Sequence, residues 1–431
     1  MSEDLSFRLN HSFLTGIYLA VNAIQDVYLL VDGPNCIFHK AERIHGRHDL
    51  FSTILSCSGQ HRIQFTGTDT QKVATNYESI VAEAIQKITA LNNCNSLFLS
   101  SIPFCTIVGT QYDRIIREIS PKTAKPVIYI PGRSLEEDWL DGYSRTLNSL
   151  AASVDISRGV PKPENVAVVG YLMDRTESDH QANIAEIKRM LKGISLNPVS
   201  IWLSNESYGS LQDIKNASVV ISFPYAREAA RIIAKRIGAR VIETVLPFGI
   251  AHTQQWLRQI GEALERDSES EAFIEREMEE IVPKLEWIIP HVFLNRRLAW
   301  IGDPYIFEGF VSLAEDLGIN IVGSFFTAKQ SHADKISMKC LIKENRVIFE
   351  PRHRKLYAEL KKIEKQGVDL VITSGQCLPM IDSRIAYLEF GYPSYYYHAL
   401  QYEPYLGFRG CLSFVHRMAN AVMGSSMFTG R

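Results

Sequence analysis

Three thiols near the start of the chain occupy positions where a metal or an anionic group could be held. Cys36 and Cys105 each follow a short apolar run with the length of a buried strand, Val27–Val31 and Leu97–Ser101. Each run is followed by a proline-containing turn and then a helical pattern. In an open α/β sheet the loops at the carboxyl ends of the strands gather on one edge, so two thiols far apart in sequence would meet there. Cys57 stands just ahead of a further strand-like run, Arg62–Thr66, and can join them from a loop near the same edge. Each thiol lies close to a helix start, where free N–H groups and the helix dipole favour negative charge. That setting suits a thiolate or an anionic cluster. Two other readings compete. Free cysteines are often simply buried, and the pairs Cys36–x2–His39 and Cys57–x3–His61 have zinc-like spacing, although zinc would leave Cys105 unused. His45 and His48, flanking Gly46, read as polar loop residues that hydrogen-bond nearby backbone.

The elements that must position these groups come in three series. Residues 11–25 carry Leu14, Ile17, Val21 and Ile24 at helical spacing, ahead of the first strand and the Cys36 turn. A helix over Thr70–Leu91, the Cys105 turn, a helix to about Ile119 and a strand Pro126–Ile130 follow. Ser134 and Glu137 form a capping box opening a helix around Trp139. GVPKPEN, Gly159–Asn165, reads as a domain boundary. A second series begins at VAVVGYL, with a helix Arg227–Ile237 that Gly238 should cap, and ends in an acidic helix that Pro283 should end or kink. A third series begins after Asn295 and closes with a helix Leu412–Val422. Strands that are continuous apolar runs between helices imply parallel sheets covered on both faces. The expected domains are therefore 1–160, 161–293 and 294–431.

Composition narrows the class. The 431 residues are too many for one core. An apolar fraction of 46% with a net charge of −2 describes a globular protein with no basic excess for nucleic acid or an anionic membrane. No run is long enough to span a bilayer, and the opening MSEDLSFRLNHSF lacks a signal-peptide pattern. Seven cysteines, an odd number, then fit reduced thiols in the cytoplasm. No Gly-x-Gly-x-x-Gly follows a strand and no Gly-x-x-x-x-Gly-Lys-Ser/Thr occurs, so the fold pattern does not imply NAD or ATP binding by this chain.

The motifs resemble, in their order, component 1 of nitrogenase and its relatives: the catalytic subunits, the cofactor-assembly scaffold and the dark-operative tetrapyrrole reductases. Cys36 in DGPNC, Cys57 in SCSGQ and Cys105 in PFCTIVG match that family's three cysteines, and GPNCIFHKAERIHGRHD looks most like its β-type subunits. Further landmarks are VVISFPYAREAARIIAKRIGARVIE, PFGIAHTQQWLRQI, RRLAWIGDPYIFEGFVSLAEDLGI and GYPSYYYH…GFRGC.

The resemblance implies three Rossmann-like, doubly wound parallel-sheet α/β domains around a central pocket. It implies an iron–sulfur cluster, 4Fe-4S or P-cluster-like, held by Cys36, Cys57 and Cys105 at a subunit interface, where a partner completes the ligand set. That partner would be an identical chain or a homologous subunit in a heterodimer or heterotetramer. Electrons would come from an ATP-dependent iron–sulfur reductase and go to an unidentified substrate. Phe223, Tyr225 and Cys377 would line the pocket, and Arg227, His252 and His398 would bind an anionic substrate or deliver protons. The place of the family's active-site cofactor cysteine falls at Ser222, so a molybdenum-type cofactor is not expected in this chain. The alternative is a non-catalytic β-type subunit or an assembly scaffold. Cys94, Cys340 and Cys411 read as structural, and Tyr392, Tyr395–Tyr397, Tyr402 and Tyr405 as domain packing.

Overall fold

A computed structural model describes residues 6–68, 77–132, 136–335 and 347–429. Continuous apolar runs become strands buried on both faces. All six residues of β1 (Val27–Asp32) are buried. Beyond it along the chain come β2 (Ile63–Phe65), β3 (Ser96–Ser101), also buried throughout, and β4 (Val127–Tyr129). These form a parallel sheet in the order β2-β1-β3-β4. A second parallel sheet has the order β6-β5-β7-β8, from β5 (Lys162–Val169), β6 (Asn197–Ile201), β7 (Ala217–Ser222) and β8 (Arg240–Glu243). The third, β11-β10-β9-β12-β13, is built from β9 (Arg297–Gly302), β10 (Asn320–Phe326), β11 (Val347–Phe349), β12 (Leu370–Thr373) and β13 (Ala386–Glu389). The α/β class with parallel, doubly wound sheets is as the sequence pattern implies.

By their contacts the residues fall into two compact units. One holds Ser12–Thr176 and Asn197–Glu243, with the first two sheets. The other holds Met1–His11, Glu177–Leu196 and Thr244–Arg431, with the third. Each sheet reverses its winding once: between β1 and β3, between β5 and β7, and between β9 and β12. At such a switch the loops leaving the carboxyl ends diverge and open a crevice. The loops after β1 and β3 carry Cys36 and Cys105, the loop after β7 carries Phe223, Tyr225 and Arg227, and the loop after β12 carries Cys377.

Local chemistry sets the element ends. The helix Arg227–Ile237 stops at Gly238, whose φ of 70° is left-handed. At Trp139–Ser153 the cap differs from expectation. Asp138 Oδ1 accepts from the N–H groups of Leu140 and Asp141, and Asp141 returns a bond to the Asp138 N–H. Ser134 lies outside the described residues, as do Cys340 and the start of the helix that is described from Tyr77 to Thr89. β5 begins at Lys162, inside the segment read as a linker. Pro283 does not end its helix, which runs from Asp267 to Ile288. A proline removes one N–H and crowds the preceding turn, but Ile281 and Leu285 on either side are buried, and that packing carries the helix through.

Candidate functional site

The strongest chemistry gathers where β1 and β3 end. The two strands pair in parallel with Asp32 opposite Ser101, and the Ile102 N–H donates to the Asp32 carbonyl at 3.1 Å, so both chains leave the sheet at one level. Four residues past Asp32, Cys36 sits in a 3-10 turn, Asn35–Ile37, ahead of the helix Phe38–Ile44. Four residues past Ser101, Cys105 sits in the short helix Pro103–Ile107. Cys36 is exposed and Cys105 is fully buried.

The last residue of β1 is Asp32, a carboxylate with no exposed surface. It accepts from Thr66 Oγ1 at 2.7 Å, Thr68 Oγ1 at 3.1 Å, Tyr112 OH at 2.6 Å and Tyr77 OH. Four hydroxyl donors replace the water that a buried carboxylate loses. The Cys105 thiol joins this network through Tyr77 and Asp32. Burial pushes it up to about 11 while the Tyr77 bond works the other way, so in the metal-free chain it is a protonated donor. Burial, then Asp32, raises both Tyr77 and Tyr112 well above the ordinary phenol range.

Cys57 is also exposed, in the turn ahead of β2. Gln60 Nε2 donates to Asn93 Oδ1 at 3.3 Å, and Asn93 precedes β3 at the opposite end of the strand from Cys105. Arg62, donating to the carbonyls of Val21, Ile24 and Val27, fixes the run that follows to the start of β1. His61 accepts from the Ser56 N–H and packs its ring on Phe38, and His39 is held by Glu42 at 2.9 Å. Among the described residues, no three of these Cys and His groups bring their ligand atoms within 4.8 Å of one another. A tetrahedral zinc, with Zn–S near 2.3 Å, needs such closeness, so the arrangement does not favour zinc. An iron–sulfur cluster, which spreads its ligands over several metal atoms, does not need it.

The remaining candidates divide between the two units. Phe223, Tyr225 and Arg227 follow Ser222, the last residue of β7. Phe223 and Tyr225 are buried. Arg227 donates to the Ser222 carbonyl at 2.8 Å and pairs with Glu243 at 3.7 Å. In the other unit, Cys377 packs with Leu9, Ala299, Ile301 and Val371 in the core of the third sheet, and burial pushes it up to about 12. His252, in the helix Ile250–Leu264, lies so close to Gly309 that a Cβ there would meet its Nδ1 at 3.2 Å. Burial lowers its basicity, while a backbone bond to Leu246 opposes that. His398 stands in the loop between β13 and the closing helix Gly407–Thr429, with Nδ1 2.7 Å from Glu177 Oε1.

Sequence reading missed the buried carboxylates. Asp32 is a single acid at the end of an apolar run, Glu177 stands in the polar stretch DRTESD, and both have partners far along the chain. Asp49 is another, accepting from Asn22 Nδ2 at 2.7 Å and from the Thr176 N–H at 2.8 Å. His48 is buried with Nε2 3.0 Å from the Asp174 carbonyl, and burial is the main cause of its lowered basicity. The one available signal was an acid directly after a run of strand residues, as in VYLLVD.

The family described as nitrogenase component 1 type oxidoreductase matches residues 12–423. The nitrogenase molybdenum-iron protein alpha chain of Methanothermococcus thermolithotrophicus is 25% identical over 338 residues, covering 73% of this chain and 66% of the relative. This chain thus spans about two thirds of that relative's length. Subunit N of the light-independent protochlorophyllide reductase of Roseiflexus sp. (strain RS-1) is 23% identical over 181 residues, 42% of this chain and 41% of that one. Among solved structures, one of nitrogenase Cp1 at pH 6.5 superposes with a TM-score of 0.80 at 15% identity, covering 98% of this chain and 94% of its own, a likeness of fold. No described helix is long and apolar enough to cross a membrane.

Proposed function

Because this chain belongs to the nitrogenase component 1 type oxidoreductases, we propose that it is an iron–sulfur subunit of a nitrogenase-like reductase. It takes low-potential electrons from an ATP-hydrolysing iron–sulfur partner and passes them to a substrate that is hard to reduce. The observation that carries this reading is the Asp32–Ser101 register, from which Cys36 and Cys105 follow at equal distance along adjacent strands. These are soft thiol ligands of the kind iron–sulfur clusters take, and when bound such a cluster supplies one-electron transfer. Cys36 offers an exposed sulfur. Cys105 reaches the same edge by giving up its proton and its bonds to Tyr77 and Asp32. Cys57, on an exposed turn whose His61 packs on Phe38 just past Cys36, is the third ligand of the set.

Three thiols leave the ligand set open, and a homologous subunit, identical or not, would complete it. The rim supports that. Phe65 at the end of β2 and Phe104, Ile107 and Val108 after β3 are exposed apolar side chains at or beyond the carboxyl ends of the two strands flanking β1, with Ile107 75% exposed. A partner would cover such a patch. His398, partnered by Glu177, is the proton-delivering group.

A second reading, a non-catalytic β-type subunit or assembly scaffold, has its own support. Arg227, His252 and Cys377 are engaged in packing or ion pairing. Purification with the genetically adjacent subunits, followed by turnover with ATP and the iron–sulfur reductase, separates the two. Substrate reduction that depends on this chain supports the enzyme. Cluster transfer to another protein without turnover supports the scaffold.

A further inference from the structure

We propose that Glu177 is the positioning residue of His398: it holds the imidazole with its proton on Nδ1, leaving Nε2 as the atom that accepts and returns protons. The proposal rests on the reading of His398 as the proton-delivering group. Glu177 immediately precedes the helix Ser178–Gly193, in the place of an N-cap, yet its side chain makes no cap bond. Both oxygens are instead spent on two consecutive residues of a loop 221 and 222 positions away. Oε1 lies 2.7 Å from His398 Nδ1, and Oε2 accepts from the Ala399 N–H at 2.8 Å. The Ser178 N–H donates back to the Ala399 carbonyl at 3.2 Å. The Glu177 side chain has no exposed surface, whereas that of His398 is 20% exposed.

These distances fix a chemical assignment. An ionised carboxylate only accepts, so with Oε1 against Nδ1 the ring must donate there. A neutral imidazole carries one proton, and Nε2 then keeps the bare lone pair. The Ala399 bond stops the carboxylate from rotating away, and the Ser178–Ala399 bond holds the loop in register. Neighbouring contacts fix the rest of the loop. The Arg417 guanidinium lies 3.7 Å over the Tyr397 ring, Tyr397 OH donates to Glu403, and Glu389 accepts from the N–H groups of Tyr395 and Tyr396. His180 and Asn183, on the helix that Glu177 precedes, bond Tyr405. A contact serving only to pin the loop would impose the same tautomer, so the proton-delivery role is judged separately, by turnover.

The test is 15N NMR of the intact metal-free chain with labelled histidine, His398 being assigned as the resonance lost in His398→Gln. The expected spectrum has a protonated Nδ1 and, in the neutral ring, an Nε2 shift typical of a bare nitrogen. Glu177→Asp should keep that tautomer, and Glu177→Ala should lose it. A wild-type ring protonated on Nε2 with Nδ1 bare overturns the proposal, and that spectrum needs no variant of Glu177 to fold. The underlying reading is judged separately. His398→Gln should lower turnover with the reductase by at least about tenfold. Unchanged turnover beside the expected tautomer would remove the proton-delivery role and leave the positioning intact.

Discussion

At the residue scale the account turns on buried polar groups that are fully partnered. Tyr112 OH donates to Asp32 at 2.6 Å with both groups buried. Tyr112→Phe therefore removes a hydrogen bond to a charged group and should cost about 2 kcal/mol, read as a lowered urea midpoint. Unchanged stability would mean that Asp32 does not depend on it. Thiol reactivity gives a second expectation. In the native chain Cys36 and Cys57 should alkylate readily near neutral pH, while Cys105, buried and pushed up to about 11, should react only on unfolding. Mass spectrometry of labelled peptides settles the order. The thiols could be read from the sequence because each follows a strand-like run and a turn. Asp32 and Glu177 could not, because what makes them special is a set of donors brought from Thr66, Thr68, Tyr77 and Tyr112, or from His398 and Ala399.

At the element scale, the helices Phe13–Asn22 and Trp139–Ser153 cross where two glycines let their backbones touch. A Cβ on Gly16 would sit 1.8 Å from the Trp139 carbonyl oxygen, and one on Gly142 would sit 2.0 Å from that of Phe13. Alanine at either site would improve helix propensity by about 1 kcal/mol. The blocking atoms are backbone and cannot rotate aside, so the clash outweighs the gain. Gly142→Ala should destabilise by about 3 kcal/mol or more, and a variant as stable as the parent would contradict the close crossing. Strands and their order of appearance were legible because apolar runs of strand length alternate with helical patterns. Helix ends were legible where a left-handed glycine stands, as at Gly238. They were not at Pro283, where burial of Ile281 and Leu285 overrides a local breaker, nor at Trp139–Ser153, where the cap is Asp138, four residues beyond Ser134.

At the scale of the whole molecule, four thiols among the described residues are buried: Cys94 and Cys105 raised to about 11, and Cys377 and Cys411 to about 12, each from an ordinary value of 9 and chiefly by burial. The folded chain then holds these protons more tightly than the unfolded one. Their contribution is complete below about 9 and is lost as pH rises toward 11 and 12. Urea midpoints should therefore fall through that alkaline window, and Cys411→Ser, which replaces a titrating thiol, should flatten the slope. The central claim is that sheet topology, and not sequence proximity, assembles the metal edge. Cys36 and Cys105 are joined by the β1–β3 pairing, and the turn that carries Cys57 meets the Cys36 segment through His61, which packs on Phe38. Iron and acid-labile sulfide measured on anaerobically purified protein, with EPR before and after dithionite, test this most directly. The account predicts that Cys36→Ala, Cys57→Ala and Cys105→Ala each lose the iron and the signal. Full iron in any of the three variants would contradict it.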